Sequence, residues 1–342
     1  MELEELMEES VKLMEENFYK SKFYFSYSSL NKLMWNPAVF YQLYVLGLKE
    51  ERTDAHLVQG KIIHALLLEE AKFNDQFVIS PSNLPTGNTK TVLDALFNHA
   101  KELRNNGDER TELADYQNAI IDILRDMNLH QSLKTDQQRI DKIVTPEATS
   151  YWNFLFTKGN KTLIDRETYD FCNNAVELIK TNKKVCELIG CASTEFDNKE
   201  IFNELPIQVD VSNYKFGLKG IIDNLVFDHD KKIIYINDIK TTAKELKDFP
   251  ETLEFYSYWM QAVIYCTLVG LKFADAISAG YEMKFHFVVI DRSFQTYAFP
   301  VKDSTLVEWM KKLEKVLSKA EWHYANNNFE LPYEFATDSV TL

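Results

Sequence analysis

Residues 214–242 read YKFGLKGIIDNLVFDHDKKIIYINDIKTT. β-Branched and aromatic residues fill two runs broken at Asp228-His229-Asp230, which predicts two strands joined as a hairpin. Each run holds an acid in apolar company. Asp223 stands between Ile221, Ile222 and Leu225, Val226, and Asp238 follows Ile233, Ile234 and Ile236. An isolated carboxylate in such a place carries a large desolvation cost. Two of them brought together across a hairpin are best stabilised by a cation, and carboxylate oxygens are the ligands Mg²⁺ or Mn²⁺ prefers. Strand side chains alternate, so Asp238 and Lys240 share a face while Ile239 points into the core. That sets an ammonium beside a metal-bound carboxylate, where it can orient a water or stabilise developing negative charge. A lone Asp-Ile-Lys is more often an exposed strand with a surface ion pair. The second acid on the preceding strand, after Gly220, separates this case from that one.

Outward from the hairpin, STEFD (193–197) and IFNELPIQVDVS (201–212) read as preceding strands, and ISAGYEMKFHFVVID (277–291) and QTYAFPV (295–301) as later ones. A helix is predicted over about Leu253–Leu268 and a closing helix over about 303–325. Residues 1–190 are mostly helical in pattern. Ser28 is the expected N-cap of a helix carrying Leu30, Leu33 and Met34, with Pro37 starting the next. The expected division is one decorated domain over 1–342. Within it lie a helical part at 1–190, a sheet with its helix at 191–300, and a terminal helix and tail at 301–342. The fold class is α/β: a mixed central sheet flanked by helices, with a helical N-terminal elaboration.

The chain has 342 residues, enough for a large core, and only 10 Gly and 8 Pro, which excludes collagen-like and low-complexity classes. No apolar run reaches the ~18 residues of a membrane span. The start, MELEELMEESVKLMEEN, is acidic and amphipathic rather than basic then apolar, so a cytoplasmic location is expected. The net charge of −14 argues against coating nucleic acid by bulk attraction, but not against an enzyme that meets phosphates through metal and a local basic lining. The four cysteines form no Cys-x-x-Cys pair, so zinc or iron–sulfur ligation has little support.

Two helical patterns add candidates. Gly60 and His64, one turn apart in GKIIHALLLEE, share a helix face, and a helix-interior glycine points to close approach of another element. A core histidine bonded to a carbonyl is the commoner role for a residue set like His64 among Ile62, Ile63, Leu66 and Leu67. Gln261 and Tyr265 are likewise one turn apart on the helix after the hairpin, with Tyr258 on the same side. They could face a phosphate or base, or lie on an ordinary amphipathic helix.

In order, Gly60…His64, Gly220…Asp223, Asp238-Ile239-Lys240 and Gln261…Tyr265 resemble the RecB-type branch of the PD-(D/E)xK nuclease superfamily, which has a restriction-endonuclease-like core. SYSSLNKLMWNPAVFYQLYV (26–45) and LIDRETYDFCNNAVELIKTNKKVCELI (163–189) resemble the phage exonuclease VIII group within it. The resemblance implies that His64, Asp223, Asp238 and the Ile239 carbonyl hold the metal. Lys240 would orient the attacking water, and Gln261 and Tyr265 would support Lys240 and the DNA backbone. Glu195 is a further acidic candidate, and Lys219, Lys244 and Lys247 are candidates for the DNA lining. Relatives with an iron–sulfur cluster place a cysteine before the helix proline. Here Asn36 precedes Pro37, so no cluster is expected.

The implied activity is Mg²⁺-dependent hydrolysis of DNA, with Mn²⁺ as substitute, by an exonuclease on duplex ends in recombination or phage DNA metabolism. A single-strand annealing protein and a homo-oligomer are the implied partners, and no membrane is involved. The alternatives are an endonuclease or single-strand-specific nuclease on the same core, or a DNA-binding module without catalysis.

Overall fold

The computed structural model describes residues 2–48, 55–81, 84–159, 161–194 and 197–340. They form two compact units, one from residues 1–70 and 174–342, the other from 71–173. In the second unit, helices Gly87–Asn105, Gln117–Asp126 and Pro146–Lys158 pack around Leu93, Leu96, Tyr116, Ile120 and Trp152. A two-stranded parallel ladder pairs Phe77–Ile79 with Thr162–Ile164. Trp152 is fully buried, and its indole N–H donates to the Thr111 carbonyl at 2.7 Å, so the large apolar ring leaves no polar atom stranded.

The first unit holds the central sheet. Its strands are β1 (Tyr24–Phe25), β2 (Lys199–Asp210), β3 (Gly217–Asp228), β4 (Ile233–Thr241), β5 (Glu282–Ile290) and β6 (Thr296–Pro300). The helices that bear on the site are α1 (Tyr27–Trp35), α2 (Ala55–Leu68), α3 (Lys183–Ile189), α4 (Phe249–Phe255), α5 (Tyr258–Lys272) and α6 (Asp303–Asn326). β2, β3 and β4 run as an antiparallel meander, β5 joins β4 in parallel, and β6 closes that edge antiparallel. This is the mixed sheet flanked by helices that the sequence predicts. Ile222, Leu225, Ile234, Ile236, Phe285 and Phe287 meet Val263, Ile264 and Leu268 of α5 in one core.

The β3–β4 hairpin is set by its turn. Asp228 accepts the Lys231 N–H at 3.0 Å and the Lys231 ammonium at 2.9 Å, and Lys232 takes a positive φ of 52°. Several predicted elements differ in the structure. STEFD (193–197) is no strand in its described residues, because Asp197 Oδ2 accepts the Thr194 N–H at 2.7 Å in a turn, and β2 begins at Lys199. The strand predicted from 277 begins at Glu282, since Ile277 and Ser278 end a helix over Ala274–Ser278. Ser26, not Ser28, caps α1, because its hydroxyl accepts the Ser29 N–H while the Ser29 hydroxyl accepts the Ser26 N–H. The helix predicted over Leu253–Leu268 is two helices, because Ser257 turns left-handed (φ 56°) between α4 and α5. Asn36 caps the short helix that Pro37 opens, its side-chain oxygen accepting the Val39 N–H at 3.2 Å. Among the described residues no helix is long and apolar enough to cross a membrane.

The site is opened by a gap in the sheet. One edge of β3 pairs with β2 along its length. The other edge pairs with β1 at Gly217–Leu218 and with β4 from Asn224 onward. Between those partners, residues 219–223 have no strand neighbour on that edge among the described residues. At the same level the regular alternation slips. Phe202 and then Leu205 join the main core on β2, as do Ile222 and then Leu225 on β3. Glu204 takes a left-handed φ of 48°, and the Glu204–Asp223 pair is missing from an otherwise continuous ladder.

Candidate metal centre and nucleic-acid cleft

β3 and β4 part after the Asn224–Asn237 pair, which leaves the next N–H of β4 without a ladder partner. Asp223 fills that place: its Oδ2 accepts the Ile239 N–H at 2.8 Å. The Ile239 carbonyl is bonded to His64 Nε2 at 2.9 Å. His64 is brought here by α2, and Gly60 is what lets α2 come so near. A Cβ at Gly60 would stand 3.0 Å from the Thr241 hydroxyl at the end of β4.

Among the described residues, His64, Glu204 and Asp223 place their ligand atoms within 4.8 Å of one another. His64 Nδ1 lies 3.4 Å from Glu204 Oε1 and 4.0 Å from Asp223 Oδ2. Both ring nitrogens therefore face oxygen acceptors, and two N–H groups on one imidazole mean a cation. Burial alone would lower the His64 pKa, but the Glu204 and Asp223 carboxylates outweigh it and hold the ring above its ordinary value. The pocket thus calls for positive charge at this spot, and a divalent ion meets the same oxygens. Two carboxylates, one imidazole and a carbonyl form a donor set that suits a hard divalent metal.

Asp238 is wholly buried and is not one of the three. Its Oδ1 accepts the Lys240 ammonium at 2.8 Å. Its Oδ2, 2.7 Å from the same nitrogen but off the bonding direction, has a charge beside it and no hydrogen bond among the described residues. Burial pushes the Asp238 carboxyl up, to about 6; Lys240 opposes this and Asp223 adds to it. Burial would lower the Lys240 ammonium, yet Asp238 and Asp223 raise it above its usual value. Lys240 Nζ also sits 4.9 Å from the ring centre of Tyr258. Asp238 and Lys240 share a face, as the alternation requires, and buried Ile239 turns away.

Gln261 and Tyr265 also come to this place. Gln261 donates to the Tyr265 hydroxyl at 2.8 Å, and its Oε1 is buried with no partner among the described residues. The glycine of β3 explains the approach, since a Cβ at Gly220 would meet Leu268 at 2.9 Å and the Tyr265 ring at 3.1 Å. A cleft of about 530 Å³ opens over the sheet gap, with Tyr27, Lys219, Ile221, Asp223, Gln261 and Tyr265 in its lining. Of the three predicted lining lysines, only Lys219 borders it. Lys244 is exposed on the loop after β4, and exposed Lys247 is paired with Glu245 at 2.8 Å. Glu195 lies outside the described residues.

Sequence reasoning missed Glu204. ELPIQV reads as plain strand, and only the left-handed turn at Glu204 sends this acid to His64. It also missed a row of amides one residue from the acids. Asn237 donates to Asn224 Oδ1 (2.7 Å) and the Leu188 carbonyl (3.2 Å). Asn224 donates to Asn203 Oδ1 (2.8 Å) and the Ile189 carbonyl (2.9 Å), and Asn203 to the Leu68 carbonyl (2.7 Å). The carbonyls can only accept, so the three amides all point their N–H groups the same way. This row ties the strands of Glu204, Asp223 and Asp238 to the last turn of α2, the helix of His64. The Asn203–Glu204, Asp223–Asn224 and Asn237–Asp238 dipeptides are its only trace in the sequence.

The sequence profile of the PD-(D/E)XK nuclease superfamily matches residues 24–331. The chain belongs to that superfamily, whose mixed sheet with flanking helices is the restriction-endonuclease-like fold seen here. Membership implies a hydrolase that cuts DNA with the help of a divalent metal, and the His64, Glu204, Asp223 group could hold one. A solved structure of a candidate exonuclease from Eubacterium rectale is similar at a TM-score of 0.44 and 12% identity, covering 88% of this chain and 84% of that one. The structure of SSO0001 gives a TM-score of 0.23 and 17% identity over 44% of this chain and 69% of its own. The assignment rests on the profile and not on these two. No curated protein matches the sequence.

Proposed function

We propose that this protein is a Mg²⁺-dependent deoxyribonuclease, an exonuclease on the ends of duplex DNA. It belongs with the RecB-type branch and its phage exonuclease VIII group, in recombination or phage DNA metabolism. The observation that carries the hydrolytic reading is the meeting of His64, Glu204 and Asp223 beside a buried Asp238–Lys240 pair, with Asp223 lining an open cleft.

In this reading His64, Glu204, Asp223 and the Ile239 carbonyl hold the metal, with Asp238 completing the negative charge around it. When bound, the ion lowers the pKa of a water and neutralises charge on the scissile phosphate. Asp223 does two jobs, since the oxygen that accepts the Ile239 N–H also turns the Ile239 carbonyl toward His64. Lys240 keeps its proton because two carboxylates face it, so it orients the attacking water through its N–H groups and stabilises charge that builds on the phosphate. Tyr258, under the ammonium, limits where Lys240 can swing. The Gln261–Tyr265 pair offers the DNA backbone a polar floor, and Lys219 a charged rim. Mn²⁺ substitutes for Mg²⁺. A single-strand annealing protein and a homo-oligomer remain the proposed partners, and the cytoplasm the proposed location.

A digest of end-labelled linear DNA and of covalently closed circles with Mg²⁺ tests this. Release of label from linear DNA with circles left intact is the expected result. Cut circles would replace the exonuclease with an endonuclease, and no cleavage under Mg²⁺ or Mn²⁺ would leave a DNA-binding module.

A further inference from the structure

Phe255 is 78% exposed and its neighbour Tyr256 49%, the two side by side at the left-handed turn between α4 and α5. Burying rings of this size is worth about 2 kcal/mol each, so two adjacent ones left in water ask for a reason. They are not a stray patch. Phe255 meets Tyr256 edge-on at 4.9 Å, Tyr256 stacks on Tyr258 at 5.4 Å and 23°, and Lys240 Nζ lies 4.9 Å over Tyr258. An unbroken line of aromatic rings thus runs from the buried lysine to solvent. The turn is also fixed to the cleft wall: the Tyr27 hydroxyl and the Asn31 amide both donate to the Tyr256 carbonyl, and Tyr27 borders the cleft.

We propose that Phe255 and Tyr256 form a stacking step for a nucleobase at a DNA end. This rests on the nuclease reading above and sharpens its substrate. The occupant follows from charge. α4 carries Glu251 and Glu254 beside the two rings, and acids repel a phosphate but not the uncharged face of a base. It also follows from geometry. A base inside a duplex is covered on both faces, whereas a terminal or unpaired base offers one. Continuity with Tyr258 and Lys240 places that base next to the phosphate to be cut.

The test measures KM and kcat on linear DNA with ordinary terminal nucleotides and on the same DNA with abasic ones. Phe255→Ala is expected to raise KM roughly tenfold on ordinary ends with kcat within about twofold, and Phe255→Trp to restore it. Abasic ends should serve wild type and Phe255→Ala equally poorly. An unchanged KM in Phe255→Ala overturns the proposal, and so does an equal loss on ordinary and abasic ends. Fluorescence anisotropy with the same oligonucleotides in Ca²⁺ separates the two readings. If wild type cuts nothing but distinguishes ordinary from abasic ends through Phe255, the stacking step stands and the hydrolytic reading falls. If it neither cuts nor binds, both fall.

Discussion

Asn203, Asn224 and Asn237 stand one residue along the chain from Glu204, Asp223 and Asp238. Amide and carboxylate have almost the same size and shape, and both rows are largely buried. The amides close among themselves and onto three backbone carbonyls with no net charge to solvate, and among the described residues Asn237 Oδ1 is left without a partner. The acids cannot do this. Ionised oxygens only accept, they repel one another, and they draw in His64, Lys240 and the Ile239 N–H to offset the charge. The lesson is a division of labour. A neutral, hydrogen-bonded row holds three strands and a helix end in register, and the charged row beside it is thereby kept in an arrangement that it would not choose by itself.

The largest effect is expected on the charged row. Lys240→Ala should lower Mg²⁺-dependent DNA cleavage by about 10³-fold, measured as initial rate on linear DNA, while circular dichroism stays that of the wild type. A rate within tenfold of wild type would take Lys240 out of the mechanism.

Exchanging chemistry between the rows comes next. Asn224→Asp removes two donors and adds a buried charge, so it should cost about 3–5 kcal/mol in denaturant unfolding. Glu204→Gln carries an amide into the acid row. It should weaken Mn²⁺ binding by about tenfold or more in calorimetry with little change in stability, because a repulsion is relieved as a ligand is lost. Equal destabilisation by both would show that the rows do not differ in kind.

The smallest effect sharpens the comparison from outside both rows. His286 of β5 pairs in register with Asn237, and burial lowers its pKa to about 4. The unfolded ring titrates near 6.5, so as pH falls the unfolded chain takes up the proton first. The stabilisation is present above that value and is lost between about pH 6.5 and 4. Discounted for partial exposure, it is about 2 kcal/mol. The fall in Tm from pH 7 to pH 4 should be smaller in His286→Phe than in wild type.

Much of the site was legible because its signals are local. A glycine inside a helix, acids amid isoleucines and two-residue alternation each encode a physical demand in neighbouring residues. Gly60 does mark close approach, to Thr241, and Gly220 the approach of Tyr265. His64 is bonded to a carbonyl, as expected of a core histidine, and that carbonyl is the one of Ile239, so this bond is compatible with the ligand role proposed for both. Glu204 was hidden because alternation is a rule about regular strands, and the slip at Glu204–Asp223 breaks it. Phe255 and Tyr256 were hidden inside a helix whose interruption at Ser257 no Gly or Pro announces.

The sequence by itself determined the kind of sheet, the order of its elements and which acids and which lysine stand in apolar strands, because burial and periodicity are written in residues that touch along the chain. Only the tertiary structure decided that one edge of β3 is left without a described strand partner at 219–223, that Glu204 and not Asp238 completes the close group with His64 and Asp223, and that three asparagines brace it. Those outcomes depend on how strands far apart in sequence compete for one another's backbone hydrogen bonds, and that competition is settled only when all of them are present at once.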